Sequence, residues 1–89
     1  MCNVQEEIIE LDLDKPQAGG LGFSVIGGER GIFVKSITPG GIAESSGELQ
    51  VGDRLLKVNE ELMTGVSHTK AVTTIRKAKG LVHLIVSRP

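Results

Sequence analysis

Few residues in this chain can do chemistry, and most of them are not spaced to do it together. The two histidines, His68 and His83, fall on different predicted elements, with no H-x-x-x-H or C-x-x-C spacing to gather a metal ion. Serines and aspartates accompany them, but no G-x-S-x-G elbow presents a serine as a nucleophile. Gly20-Leu21-Gly22 starts like a dinucleotide fingerprint. Position 25, however, is Val25 where the third glycine is needed, and a strand follows where a helix is required. No G-x-x-x-x-G-K-[ST] loop is present to cradle phosphate. The expectation is a chain that is not an enzyme and needs no cofactor or metal.

The constellation that carries a function is Gly20-Leu21-Gly22-Phe23. Glycines there let the backbone take unusual angles and come close to a ligand. Successive N–H groups in such a turn can converge on one point and form an anion-binding nest. A plain tight loop ahead of a strand has the same composition, so the surrounding elements decide its meaning.

Ile9, Leu11 and Leu13 alternate with polar residues and predict a half-buried strand, which Pro16 and the paired glycines of Lys15–Gly20 break. Phe23-Ser24-Val25-Ile26 predicts a second strand. The turn Gly28-Glu29-Arg30-Gly31 joins it to a third over Ile32–Ile37 as a hairpin. Ile42–Ser46 predicts a short helix stopped by Gly47. Arg54–Asn59 and Leu81–Val86 predict two more strands, with a brief one within Glu60–Met63. Ser67 is placed to cap a longer helix from His68 to about Lys79, with Gly80 as its stop. On that helix His68, Val72 and Ile75 share one face, and Ala71 and Ala78 beside it can pack close to a sheet. An apolar helix stripe facing the second strand makes a groove for one extended peptide. The expected fold is mainly β (α+β): a small, partly open antiparallel barrel or sandwich of five to six strands with two helices. The 89 residues make a single domain with a core from about residue 6 to residue 87.

Composition narrows the partner. Net charge is −1, from 10 basic and 11 acidic residues, and there is no Trp or Tyr. That is neither the basic footprint nor the stacking surface of a nucleic-acid binder. Cys2 is the only cysteine, so no internal disulfide supports the fold, and a reducing, cytosolic setting is expected. No charged-then-apolar leader or long apolar span occurs in this segment.

The sequence resembles a PDZ domain. The resemblance is carried by Gly20-Leu21-Gly22-Phe23, Gly31-Ile32-Phe33-Val34, Ser46-Gly47-Glu48-Leu49, Gly52-Asp53-Arg54-Leu55-Leu56-Lys57-Val58-Asn59 and Ser67-His68, and it runs from about Ile9 to Val86. PDZ domains are a known example of binding by β-strand addition. The resemblance implies that the N–H groups of Leu21, Gly22 and Phe23 receive a partner's terminal carboxylate. Phe23, Ser24, Val25 and Ile26 would pair with the incoming peptide, and Leu21, Phe23, Val25, Val72 and Ile75 would line a pocket for its last side chain. His68 would bond a Ser or Thr hydroxyl two residues earlier, giving the motif [Ser/Thr]-x-[Val/Leu/Ile]. Ser24 and Lys35 would reach upstream side chains, Lys35 favouring an acidic one. Lys15 is the candidate for the basic residue that supports the carboxylate through water. The Asn-Gly turn usual after the fourth strand is replaced by Asn59-Glu60-Glu61, which leaves that turn's type open.

The implied role is that of a scaffold or adaptor, monomeric in isolation. Its partners would be the C-terminal tails of membrane receptors, channels or signalling proteins. It would be cytoplasmic, reaching the plasma membrane or cell junctions only through them. Two alternatives remain open. Arg76, Lys77 and Lys79 cluster as a phosphoinositide or membrane-surface binder requires, although the net charge opposes it. Related folds also serve as peptide-sensing domains of serine proteases.

Overall fold

The computed structural model describes residues 6–89; Cys2 lies outside them. Alternation builds β1 (Glu7–Asp14) and β6 (Leu81–Arg88), which come first and last among the described strands. In β1 Leu11 and Leu13 are buried between exposed neighbours, and Ile9 is half-buried. In β6 Val82, Leu84 and Val86 follow the same period and are fully buried. The two strands pair antiparallel along their whole length, from Glu7↔Arg88 to Asp14↔Leu81.

β2 (Phe23–Gly28) and β3 (Gly31–Ile37) form the expected hairpin. Its register runs Phe23↔Ile37 and Ser24↔Ser36, then moves to Val25↔Val34. Lys35 is left without a cross-strand partner, as the extra residue of a β-bulge. β4 (Arg54–Val58) and the two-residue β5 (Glu61–Leu62) complete the sheet, whose order is β1-β6-β4-β3-β2 with β5 paired to β4. All pairings are antiparallel, and the sheet is not closed. Asn59 makes the turn after β4 in the left-handed region at φ 53°, and its Oδ1 accepts the His83 N–H at 2.9 Å. A side chain that bonds locally lets Asn hold this conformation.

Ile32, Leu55, Val58, Met63 and Leu84 fill the core with Ala43 and Ala71. Each large side chain buried there contributes about 1.5–3 kcal/mol. Asp53, 1% exposed, is the buried charge among the described residues, and Arg88 holds it by two hydrogen bonds, Nε to Oδ1 and Nη2 to Oδ2, both 2.7 Å. A paired, fully bonded carboxylate is tolerable inside where a lone one is not.

α1 (Ile42–Ser46) ends as expected at Gly47, whose φ of 72° turns its N–H back to Ala43 O and Glu44 O. α2 (His68–Lys77) begins as expected, with Ser67 Oγ accepting the Lys70 N–H at 3.1 Å. Its end corrects the sequence expectation: the helix stops at Lys77 rather than Lys79, and Ala78 is already extended at φ −62°, ψ 138°. Lys15 is the reason. Its Nζ donates to Arg76 O at 2.7 Å and Ala78 O at 2.9 Å, satisfying carbonyls that a further turn would otherwise have to reach. Gly80 turns the chain into β6 instead, and its carbonyl accepts the Lys15 N–H at 2.8 Å. No helix among the described residues is long and apolar enough to cross a membrane.

Candidate functional site

β2 is an edge strand, and α2 lies along it. The glycine loop that leads into β2 is anchored through its carbonyls. Ala43 N–H donates to Leu21 O at 3.1 Å, and Thr38 N–H donates to Gly22 O at 2.9 Å. In a trans peptide the N–H points opposite to the C=O of the same unit. The Gly22 N–H is therefore turned away from α1, and the Phe23 N–H away from β3. Among the described residues, the N–H groups of Leu21 and Gly22 have no hydrogen-bond acceptor. Gly22 makes this arrangement possible. It sits at φ +85°, and a Cβ there would lie 3.1 Å from Ile42 N, so the loop can rest directly on the start of α1.

Two cavities adjoin this loop. A cleft of about 320 Å³ between β2 and α2 is lined by Phe23, Val25, His68, Val72 and Ile75. A larger cavity of about 710 Å³ lies over the loop itself, with Gly20, Leu21, Gly22, Ile42 and Ile75 in its wall. At the upper end of the cleft His68 Nε2 stands 3.2 Å from Val25 O. With its proton on Nε2, the ring donates to that carbonyl. Such a groove, made of free edge amides, an apolar cleft and one imidazole, suits an extended peptide. A family model described as PDZ domain matches residues 10–87.

The chain belongs to the PDZ domain family. It is 42% identical over 91 residues to "Tyrosine-protein phosphatase non-receptor type 13" of Mus musculus, and 40% identical over 93 residues to "Disks large homolog 2" of Rattus norvegicus. Each match takes in 96% of this chain, but only 4% and 11% of those proteins. The chain is thus one PDZ module set beside much longer relatives. The crystal structure of the Dlg1 PDZ2 domain of the choanoflagellate Monosiga brevicollis superposes with a TM-score of 0.87 at 31% identity, over 93% of this chain and all of that one. The fold is therefore the PDZ fold, and this PDZ domain is a protein–protein interaction module that binds peptide partners.

Within the PDZ groove the sequence-derived residues are mostly brought together. Phe23, Val25, Val72, Ile75 and His68 share the cleft, and Ser24 opens onto its rim. Leu21 is 3% exposed and belongs to the core; it lines the adjoining loop cavity together with Phe23 and Ile75. Ile26 is on the outward face of β2, and Lys35 is exposed in the bulge. Lys15 borders the loop cavity, but its ammonium is engaged by the carbonyls ending α2. Sequence reasoning placed Arg76 only in a basic cluster and not in the groove, yet it lines both cavities and makes no ion pair among the described residues. Its i, i+4 spacing from Val72 was the available signal.

Two charge clusters lie elsewhere. His83 lies between β1 carboxylates, Nδ1 2.7 Å from Asp12 Oδ1 and Nε2 3.0 Å from Glu10 Oε1. Hydrogen bonds to Asp12, then to Glu10, raise its pKa above the usual 6.5. The bonds to Asp53 likewise raise that of Arg88.

Proposed function

We propose that this PDZ domain binds the free C-terminus of partner proteins, with the preference [Ser/Thr]-x-[Val/Leu/Ile]. One observation supports the reading: among the described residues, the loop amides of Leu21 and Gly22 lack acceptors beside an unpaired strand edge. With Phe23 they donate to the terminal carboxylate, and hydrogen bonds to a charged acceptor are the strong kind. The peptide then adds to Phe23–Ile26 as another antiparallel strand. Its last side chain enters the cleft of Phe23, Val25, Val72 and Ile75, where burying a Val or Leu contributes about 1.5–3 kcal/mol before ordering costs. Leu21 supports that pocket from the core.

His68 acts by exchange. In the free domain its ring occupies Val25 O, the acceptor an incoming peptide N–H needs. A ligand with a hydroxyl at that position gives the displaced imidazole a new partner. An apolar side chain leaves it without one, and an unsatisfied polar group is expensive.

The domain acts as a scaffold or adaptor module. Its partners are C-terminal tails of membrane receptors, channels or signalling proteins, which draw a cytoplasmic protein to the inner face of the membrane. Lys15, Arg76 and Lys79 also border a cleft of about 630 Å³ that an anionic headgroup could enter. Asp14 shares that cleft and Lys15 is spent on helix carbonyls, so peptide capture is the better reading.

A C-terminal peptide library with matched amidated controls tests it. Hits should end in the stated motif, and amidation should weaken them about a hundredfold, the equivalent of one to two charge-assisted hydrogen bonds. Free-acid and amidated peptides that bind alike would overturn the proposal.

A further inference from the structure

The helix that walls the groove is tied down near its two ends. Among the described residues, side-chain hydrogen bonds join α2 to other elements at two places only. At one, His68 Nε2 stands 3.2 Å from Val25 O. At the other, Lys15 Nζ donates to Arg76 O at 2.7 Å and to Ala78 O at 2.9 Å. Lys15 is itself fixed, because its own N–H donates to Gly80 O at 2.8 Å just ahead of β6.

Binding leaves these ties unequal. In the reading above, the peptide takes Val25 O and the imidazole turns to the ligand. Lys15 is then the side chain that still holds α2 to the domain itself. Its acceptors are carbonyls at a helix C-terminus, where a cation is favoured, and hydrogen bonds from a charged donor are roughly twice as strong as neutral ones.

The turn that Lys15 holds is also the turn that shapes the pocket. Ile75 and Arg76 line both the cleft and the loop cavity, and Ile75 packs half-buried against the core. Phe23 and Val25 form the sheet side of the cleft, held by their pairing with Ile37 and Val34. That side is rigid. The helix side is set by how far the last turn of α2 can move away from it.

We propose that Lys15 is a positioning residue for specificity: by pinning the last turn of α2 it fixes the width of the terminal side-chain pocket and restricts the ligand's last residue to compact aliphatic side chains. This rests on the carboxylate reading above and gives Lys15 a role other than supporting the carboxylate. An ammonium has three N–H donors, and two of these are committed to the helix. Lys15 therefore acts on the last side chain, through the helix. A pinned wall does not widen for a larger group, and overfilling a fitted site is costly. A released turn yields.

The test uses six-residue peptides that share a Thr two residues before the end and finish in Val or Phe. Affinities are measured by fluorescence polarisation at low and high salt, with amidated controls, for the wild-type domain, Lys15→Met and Lys15→Arg. Met removes the ammonium and keeps an unbranched stem; Arg keeps a cation that can donate to both carbonyls. The wild type should favour Val over Phe by about tenfold, the equivalent of modest overpacking. In K15M that ratio should fall to about threefold or less, and K15R should restore it. Exchange of the Ala78 N–H, which donates to Thr74 O, should quicken in K15M while amides of the central strands keep their protection. If K15M does not fold, K15Q supplies the same comparison.

A wild type that takes Phe as readily as Val overturns the proposal, as does a ratio that K15M leaves unchanged. So does an equal loss of affinity for both peptides that high salt erases, because the charge would then serve the carboxylate directly. If amidated and free-acid peptides bind alike, the carboxylate reading itself has failed. If only free acids bind and the Val-to-Phe ratio is the same with and without the ammonium, the role of Lys15 alone has failed.

Discussion

The two edges of the sheet are treated in opposite ways. β1 has acidic residues at four of its eight positions, Glu7, Glu10, Asp12 and Asp14, and two of them hold His83 on the neighbouring strand. Charge along an edge discourages another chain from pairing there. β2 has no charged residue in its six positions, enters from a loop whose amides are unpartnered among the described residues, and faces an apolar helix stripe. An open edge is a hazard in a small sheet protein. Here one edge is defended, and the other is left open only where a helix and a loop limit what can add to it.

Three substitutions sharpen that contrast. The largest effect should come from Gly22→Ala at the open edge. A Cβ at φ +85° is strained and meets Ile42 N at 3.1 Å, so a loss of about 2 kcal/mol in chemical denaturation is expected, together with weaker peptide binding. Unchanged stability and affinity would mean the loop does not need this conformation.

Next is His68→Ala. The preference for Ser or Thr over Val two residues before the ligand's end should shrink about fivefold, the equivalent of one hydrogen bond. Because the variant frees Val25 O, titration calorimetry should find ligands with an apolar residue there bound at least as well as by the wild type. Weaker binding of those ligands would show that the ring contributes by packing instead.

The smallest effect should be at the defended edge. His83 has its pKa raised in the folded state, first by Asp12 and then by Glu10. A raised value favours the folded form while the ring is protonated. The wild type's advantage over His83→Gln should therefore be complete below about pH 6.5, and should fade as pH rises through the higher folded value. Melting temperatures of both proteins at pH 5.5 and 8.5 check this. An advantage that grows with pH would reverse the assigned role of the two carboxylates.

Much of this was legible in local pattern. Leu11 and Leu13 announced β1 by alternation, Ser67 and Gly47 announced helix ends by their own chemistry, and His68, Val72 and Ile75 announced the groove wall by helical spacing. What escaped depends on partners distant in the chain. α2 stops early because Lys15, some sixty residues before it, takes its carbonyls. The bulge at Lys35 exists only in relation to β2, and no property of the Phe33-Val34-Lys35 segment signals it. Leu21 sits between glycines, where no periodicity says which way a side chain turns. It proved to be a core residue.

The Lys15 ammonium has a mechanical side. It is the knot between the end of the first strand and the last carbonyls of the helix that walls the groove. Lys15 therefore couples the first strand to the ligand-bearing helix twice over, through its ammonium and through its N–H on Gly80 O.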